Sequence, residues 1–130
     1  MYLLPKPKQM EIRTGTFALG YQSRIVIDPQ ILENGRVYAS ILKSCAWTSA
    51  GLSLKMVAGK PKAGDIFLTL THVLSPQEYC LEIEENRVTV FGGDGAGVLY
   101  GVETLCQVME QCGAVLECEV TIWTRPEAGC

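Results

Sequence analysis

The residues able to do acid-base or nucleophilic chemistry are few in this chain and poorly spaced for it. The one histidine, His72, has no His, Glu or Cys three or four positions further on with which to share a metal, and no His-Glu-x-x-His signature occurs. It reads as a surface or loop histidine. A serine or cysteine nucleophile would depend on that single imidazole, and there is no Gly-x-Ser-x-Gly elbow to present one. Glycoside hydrolysis needs an acid and a second carboxylate, or an assisting substrate group, held across one sugar. The adjacent acids Glu84-Glu85, with Glu82, fall at a hairpin and read as a solvated edge that discourages strand pairing between molecules. No acid-base pair converges.

The glycine cluster Gly92-Gly93-Asp94-Gly95-Ala96-Gly97 stands between a strand and a helix, where a dinucleotide fingerprint would belong. Its spacing is wrong, because the third glycine would have to replace Val98 or Tyr100. Asp94 also puts a negative charge where a pyrophosphate would sit. No cofactor is expected. The six cysteines, Cys45, Cys80, Cys106, Cys112, Cys118 and Cys130, include no Cys-x-x-Cys pair. They are read as reduced thiols, with a disulfide among Cys106, Cys112 and Cys118 as the main competitor and no metal site.

Composition narrows the partners. A chain of 130 residues, 48% hydrophobic and 19% charged, has the size and balance of one folded domain. The net charge of -3, with the basic residues scattered, argues against nucleic acid. No membrane span is present, and Met1-Tyr2-Leu3-Leu4 runs into Pro5-Lys6-Pro7-Lys8 rather than an apolar signal core, so a cytoplasmic protein is expected if Met1 is the native start.

Periodicity supplies the elements that would position anything functional. Met10 to Arg13, a turn at Thr14-Gly15, Thr16 to Leu19, and Arg24 to Ile27 read as strands. From Ile31 to Ala50, apolar pairs at Val37/Tyr38, Ile41/Leu42 and Cys45/Ala46 give a helix closed by Gly51. Leu52, Leu54 and Met56 alternate, as do Ile66, Leu68 and Leu70. Tyr79 to Ile83 and Arg87 to Phe91 form a hairpin across Glu85-Asn86, with Asn86 suited to positive φ. Asp94 caps a second helix running to Cys112, stopped by Gly113, and Cys118 to Trp123 is the last strand. The fold class is therefore α+β, one mixed or antiparallel sheet with two α-helices packed on one face.

The second helix carries only Glu103 as charge between its cap and Glu110. A helix at a simple sheet-solvent boundary shows a polar face. This one is expected to be covered on both sides, by the sheet and by something outside the chain, the alternative being a helix that packs on helix one and is merely poor in charge.

Three segments together resemble a known domain. Leu3-Leu4-Pro5-Lys6-Pro7-Lys8, followed by Gly15-Thr16-Phe17, is similar to the Ile-Pro-Lys-Pro start and Gly-x-Phe strand of the glycoside hydrolase family 20 N-terminal domain. Residues 78–109 resemble its Gly-Tyr-x-Leu-x-Ile hairpin and its Ala-Gly-x-x-Tyr-Gly-x-x-Thr-Leu-x-Gln helix. The tail departs from the pattern, with Trp123-Thr124-Arg125-Pro126 where that family runs toward Tyr-Pro-Arg and a catalytic barrel. The resemblance implies a single accessory domain over residues 1–130 of a β-N-acetylhexosaminidase, whose sheet covers two helices that face the barrel. It implies no catalytic residues here. The family's Asp-Glu pair lies downstream, and no Asp in this chain precedes Glu. A barrel needs about 250 residues, more than the chain has. Gly97, Tyr100, Gly101 and Thr104 are the candidate interdomain contacts, and the partner is the downstream barrel of the same polypeptide. An isolated chain could instead cover the helix face by dimerising. Similar domains precede the barrels of O-GlcNAc-hydrolysing enzymes and α-glucuronidases, so those parents, or a free-standing glycan- or protein-binding module, are the alternatives.

Overall fold

The computed structural model describes residues 9–123. The elements in chain order are β1 (Gln9–Ala18), β2 (Arg24–Ile27), α1 (Leu32–Ala50), β3 (Lys55–Ala58), β4 (Ile66–Leu70), β5 (Tyr79–Ile83), β6 (Val88–Gly92), α2 (Gly95–Cys112) and β7 (Val115–Trp123), with a short 3-10 turn over Pro29–Ile31 leading into α1. The seven strands form one mixed sheet in the order β1-β7-β5-β6-β4-β2-β3. Strands β3, β2, β4 and β6 run parallel, while β5 and then β1 are antiparallel to their neighbours.

The period of two along each strand sorts side chains onto two faces. Ile25 and Ile27, Ile66 and Leu68, Val88 and Val90, and Leu81 and Ile83 lie in register across four strands and are all buried. Ala39, Leu42 and Ala46 of α1 and Val98, Val102, Leu105 and Met109 of α2 complete that core. Both helices therefore cover one face, as the α+β reading expects.

The helices end where the sequence says they should. Asp94 accepts the Gly97 N–H at 2.8 Å and caps α2. Gly51, at φ 68°, ends α1 and directs its N–H back to the Ala46 and Trp47 carbonyls.

Four local expectations are corrected. Thr14-Gly15 does not reverse the chain: β1 is one strand whose pairing jumps from Ile12 opposite Glu119 to Thr16 opposite Glu117. Gly15, at φ 106°, makes the bulge, and a Cβ there would strike the Glu85 side chain. Asn86 does not take positive φ. Among the described residues Gln77 is the non-glycine that does, at φ 67°, whereas the Asn86 carbonyl is held by the Gly64 N–H at 2.6 Å. The strand read at Leu52 to Met56 lies further on, at Lys55–Ala58, because Leu52 and Leu54 pack as part of the α1 connector, with the Leu52 N–H bonded to the Ala46 carbonyl. Finally, β7 starts at Val115 rather than Cys118, since Leu116 is drawn into the core opposite Phe17.

Candidate functional site: the helix layer

Three of the four candidate interdomain contacts turn inward. A Cβ on Gly97 would run into the Glu78 carbonyl oxygen, and one on Gly101 into Val90 Cγ1. Thr104 is buried, and its hydroxyl shares a hydrogen bond with that of Tyr79. The two glycines and the threonine, spaced at one helical turn, let α2 settle onto β5 and β6. Their small size serves contact with the domain's own sheet. Tyr100 is the one left partly exposed.

The poverty of charge in α2 has the same cause. Its inner side lies on the sheet and one flank lies against α1, leaving a narrow outer strip where Glu103 and Glu110 are exposed.

Within the helix layer, the exposed large apolar side chains are on α1. Val37 is 60% exposed, Ile41 40% and Trp47 64%. Between them Ser40, Ser44 and Thr48 recur at one-turn intervals, all exposed. Val37, Ile41, Ser44 and Cys45 line one wall of a groove of about 620 Å³, and Cys106 and Glu110 of α2 line the other. Sequence reasoning read Val37 and Ile41 only as part of the apolar periodicity that marks the helix. The available signal was the doubling of apolar residues at each turn, Val37/Tyr38 and Ile41/Leu42, which makes the stripe wider than contact with one sheet requires.

Asp94, whose charge seemed out of place for phosphate, is engaged by protein donors: besides Gly97 it accepts the Gln77 N–H at 2.9 Å, pinning the β4–β5 loop to the start of α2. His72 is exposed on that loop. Asp65 is buried and structural. It accepts Arg24 Nε at 3.2 Å and Nη2 at 2.6 Å, the Arg24 backbone N–H at 3.2 Å and the Lys62 N–H at 2.8 Å, so it ties β2 to the start of β4. Burial alone would raise its carboxyl, but these donors and the guanidinium hold it below the usual carboxylate range. Glu119 is the opposite case. It is 1% exposed, only its Oε1 receives a hydrogen bond, from Thr121 at 3.1 Å, and burial pushes its carboxyl up, with Glu117 adding to the rise. Among the described residues no three His, Cys, Asp or Glu side chains gather to hold a metal, and no helix is long and apolar enough to cross a membrane.

The cysteines are placed differently from the pairing considered from sequence. Cys106 meets Cys45 of α1, whose Sγ donates to the Cys106 carbonyl at 3.6 Å, while Cys118 lies in β7.

Comparison with known proteins agrees with this architecture. The family model described as glycosyl hydrolase family 20, domain 2, matches residues 1–122. Among solved structures, the Streptomyces plicatus N-acetyl-β-hexosaminidase superposes with a TM-score of 0.82 at 20% identity, over 97% of this chain and 26% of its own. The β-N-acetylhexosaminidase of Streptomyces coelicolor A3(2) gives 0.79 at 22% identity, over 94% of this chain and 26% of its own. The exo-β-N-acetylglucosaminidase of Vibrio harveyi in its D437A form gives 0.72 at 18% identity, over 94% and 19%. By sequence, no curated protein matches this chain. The chain thus spans about a fifth to a quarter of the length of the structures it resembles, and at these identities the likeness to them is one of fold. Residues 1–122 carry the membership itself: this chain belongs to the domain 2 family of glycosyl hydrolase family 20.

Proposed function

We propose that this chain is the non-catalytic N-terminal accessory domain of a β-N-acetylhexosaminidase, a single domain over residues 1–130 that packs on a downstream catalytic barrel and stabilises it. The observation that carries the reading is the family match over nearly the whole chain, combined with structural relatives four to five times longer. Asp94 serves as a cap and Asp65 as a clamp between strands, and in this reading hydrolysis belongs to the barrel.

The docking surface in this reading is the outer side of the helix layer, centred on Val37 and Ile41 of α1 with Tyr100 of α2 at its side. Gly97, Gly101 and Thr104 support it from beneath by setting how deeply α2 sits. Exposed apolar residues grouped on one face mark an interaction surface, and the small Ser40, Ser44 and Thr48 leave room for a helix of the partner to approach closely. In the isolated chain the same face would serve self-association. The described cysteines are free, which fits the cytoplasmic location expected if Met1 is the native start.

The test is to read the source gene past Cys130. Some 250 or more further residues of alternating strands and helices, with an Asp-Glu pair, support the reading, about that length being what a barrel needs. A stop codon directly after Cys130 refutes it.

A further inference from the structure

We propose that Cys45 and Cys106 form a reversible dithiol–disulfide pair that staples α1 to α2 in response to small-molecule disulfides. The two cysteines come from different helices and meet across their interface, the Cys45 Sγ resting on the Cys106 carbonyl oxygen at 3.6 Å. Both line the groove between the helices, so a small reagent can reach them from solvent. The other described cysteines do not compete. Cys80 is the residue of β5 between the helix-facing Tyr79 and Leu81, so it lies on the opposite side of the sheet, Cys112 ends α2, and Cys118 is buried in β7.

The reaction is thiol–disulfide exchange. The thiolate of one cysteine attacks a sulfur of glutathione disulfide, forming a mixed disulfide and releasing one glutathione. The second thiolate attacks the protein sulfur of that mixed disulfide, closing the Cys45–Cys106 bond and releasing the second glutathione. Two protein thiols are oxidised and one small disulfide is reduced, and the two protons leave with the glutathione thiols. Burial pushes the Cys106 thiol up, which keeps the thiolate scarce at neutral pH and makes exchange slow there. The product carries no charge, so burial does not oppose it. The closed loop joins residues 61 positions apart, a length at which a cross-link constrains the unfolded chain strongly. The meeting of the two cysteines stands without the accessory-domain reading, while a barrel docked on Val37 and Ile41 would cover the groove they share, so the exchange belongs to the domain with this face open.

The experiment treats the 130-residue chain with glutathione disulfide at mildly alkaline pH, then alkylates the remaining thiols and maps the peptides by mass. The expected result is a loss of two free thiols, a peptide linking residues 45 and 106, no retained glutathione, and a melting temperature raised by several degrees that dithiothreitol reverses. Cys45→Ala should instead hold a stable glutathione adduct on Cys106. The proposal is overturned if the link joins any other pair, if the unsubstituted chain retains glutathione on Cys45 or Cys106, or if all its thiols survive a treatment that modifies the urea-unfolded chain. The peptide map of the unsubstituted chain decides the matter even if the alanine variant does not fold.

Discussion

The Tyr79 and Thr104 hydroxyls share a buried hydrogen bond that ties β5 to α2. Burial pushes the Tyr79 phenol well above its usual range, so it remains protonated at any working pH. Thr104→Val keeps the shape and removes the hydroxyl, and should cost about 1 kcal/mol in urea unfolding. A double-mutant cycle with Tyr79→Phe should return a coupling of at least 0.5 kcal/mol in order of magnitude, the sign that the two act together. No coupling would mean that Thr104 does not act through Tyr79.

Gly101 and Gly95 provide a contrast on one helix. Gly101→Ala drives a methyl into Val90 and Tyr79, and overpacking of about 1–3 kcal/mol outweighs the roughly 1 kcal/mol of helix propensity gained. Gly95→Ala meets only the Tyr38 hydroxyl at 3.5 Å, an ordinary contact. Denaturation midpoints should fall for the first and hold or rise for the second.

Asp65 gives stability that depends on pH. Its folded-state carboxyl lies below the ordinary value, so its contribution is complete above the unfolded pKa and is lost as pH falls through the folded one. Asp65→Asn should therefore lower the melting temperature at neutral pH, with the difference from the parent chain shrinking progressively under acid.

Glu119 should show the reverse. Its carboxyl is raised by burial, so the folded state holds the proton more tightly than the unfolded chain and loses stability as pH rises toward neutrality through the folded pKa. Glu119→Gln keeps an acceptor for Thr121 and cannot ionise. It should raise the melting temperature at neutral pH and flatten its pH dependence, while at acid pH the two proteins melt alike.

Much of this fold is legible in the sequence because local signals and tertiary demands agree. Asp94 and Gly113 bound α2, Gly51 closes α1, and the alternation of Ile66, Leu68 and Leu70 marks β4, all as the structure has them. What escapes is decided by residues far along the chain. The bulge at Gly15 answers to Glu85, and the turn at Asn86 is held by Gly64. The candidate interface is the clearest case. A small residue on a helix face announces close approach but not by what, and Gly97 and Gly101 are approached by Glu78 and Val90 of the same domain. Val37 and Ile41 were legible as part of an apolar helix face but not as its outward side, because periodicity records that residues are apolar, not which side of the helix meets the sheet.

The account's central claim is that the outer face of α1 docks a barrel, and thermal unfolding of Val37→Glu/Ile41→Glu tests it most directly. Both residues are exposed in this chain, so the substitutions should leave the 130-residue domain melting as before. In the longer polypeptide that contains the barrel, the same pair should split one cooperative transition into two and lower the first. If the longer polypeptide melts unchanged, or if the isolated domain loses as much stability as the longer protein, the helix face is not the docking surface.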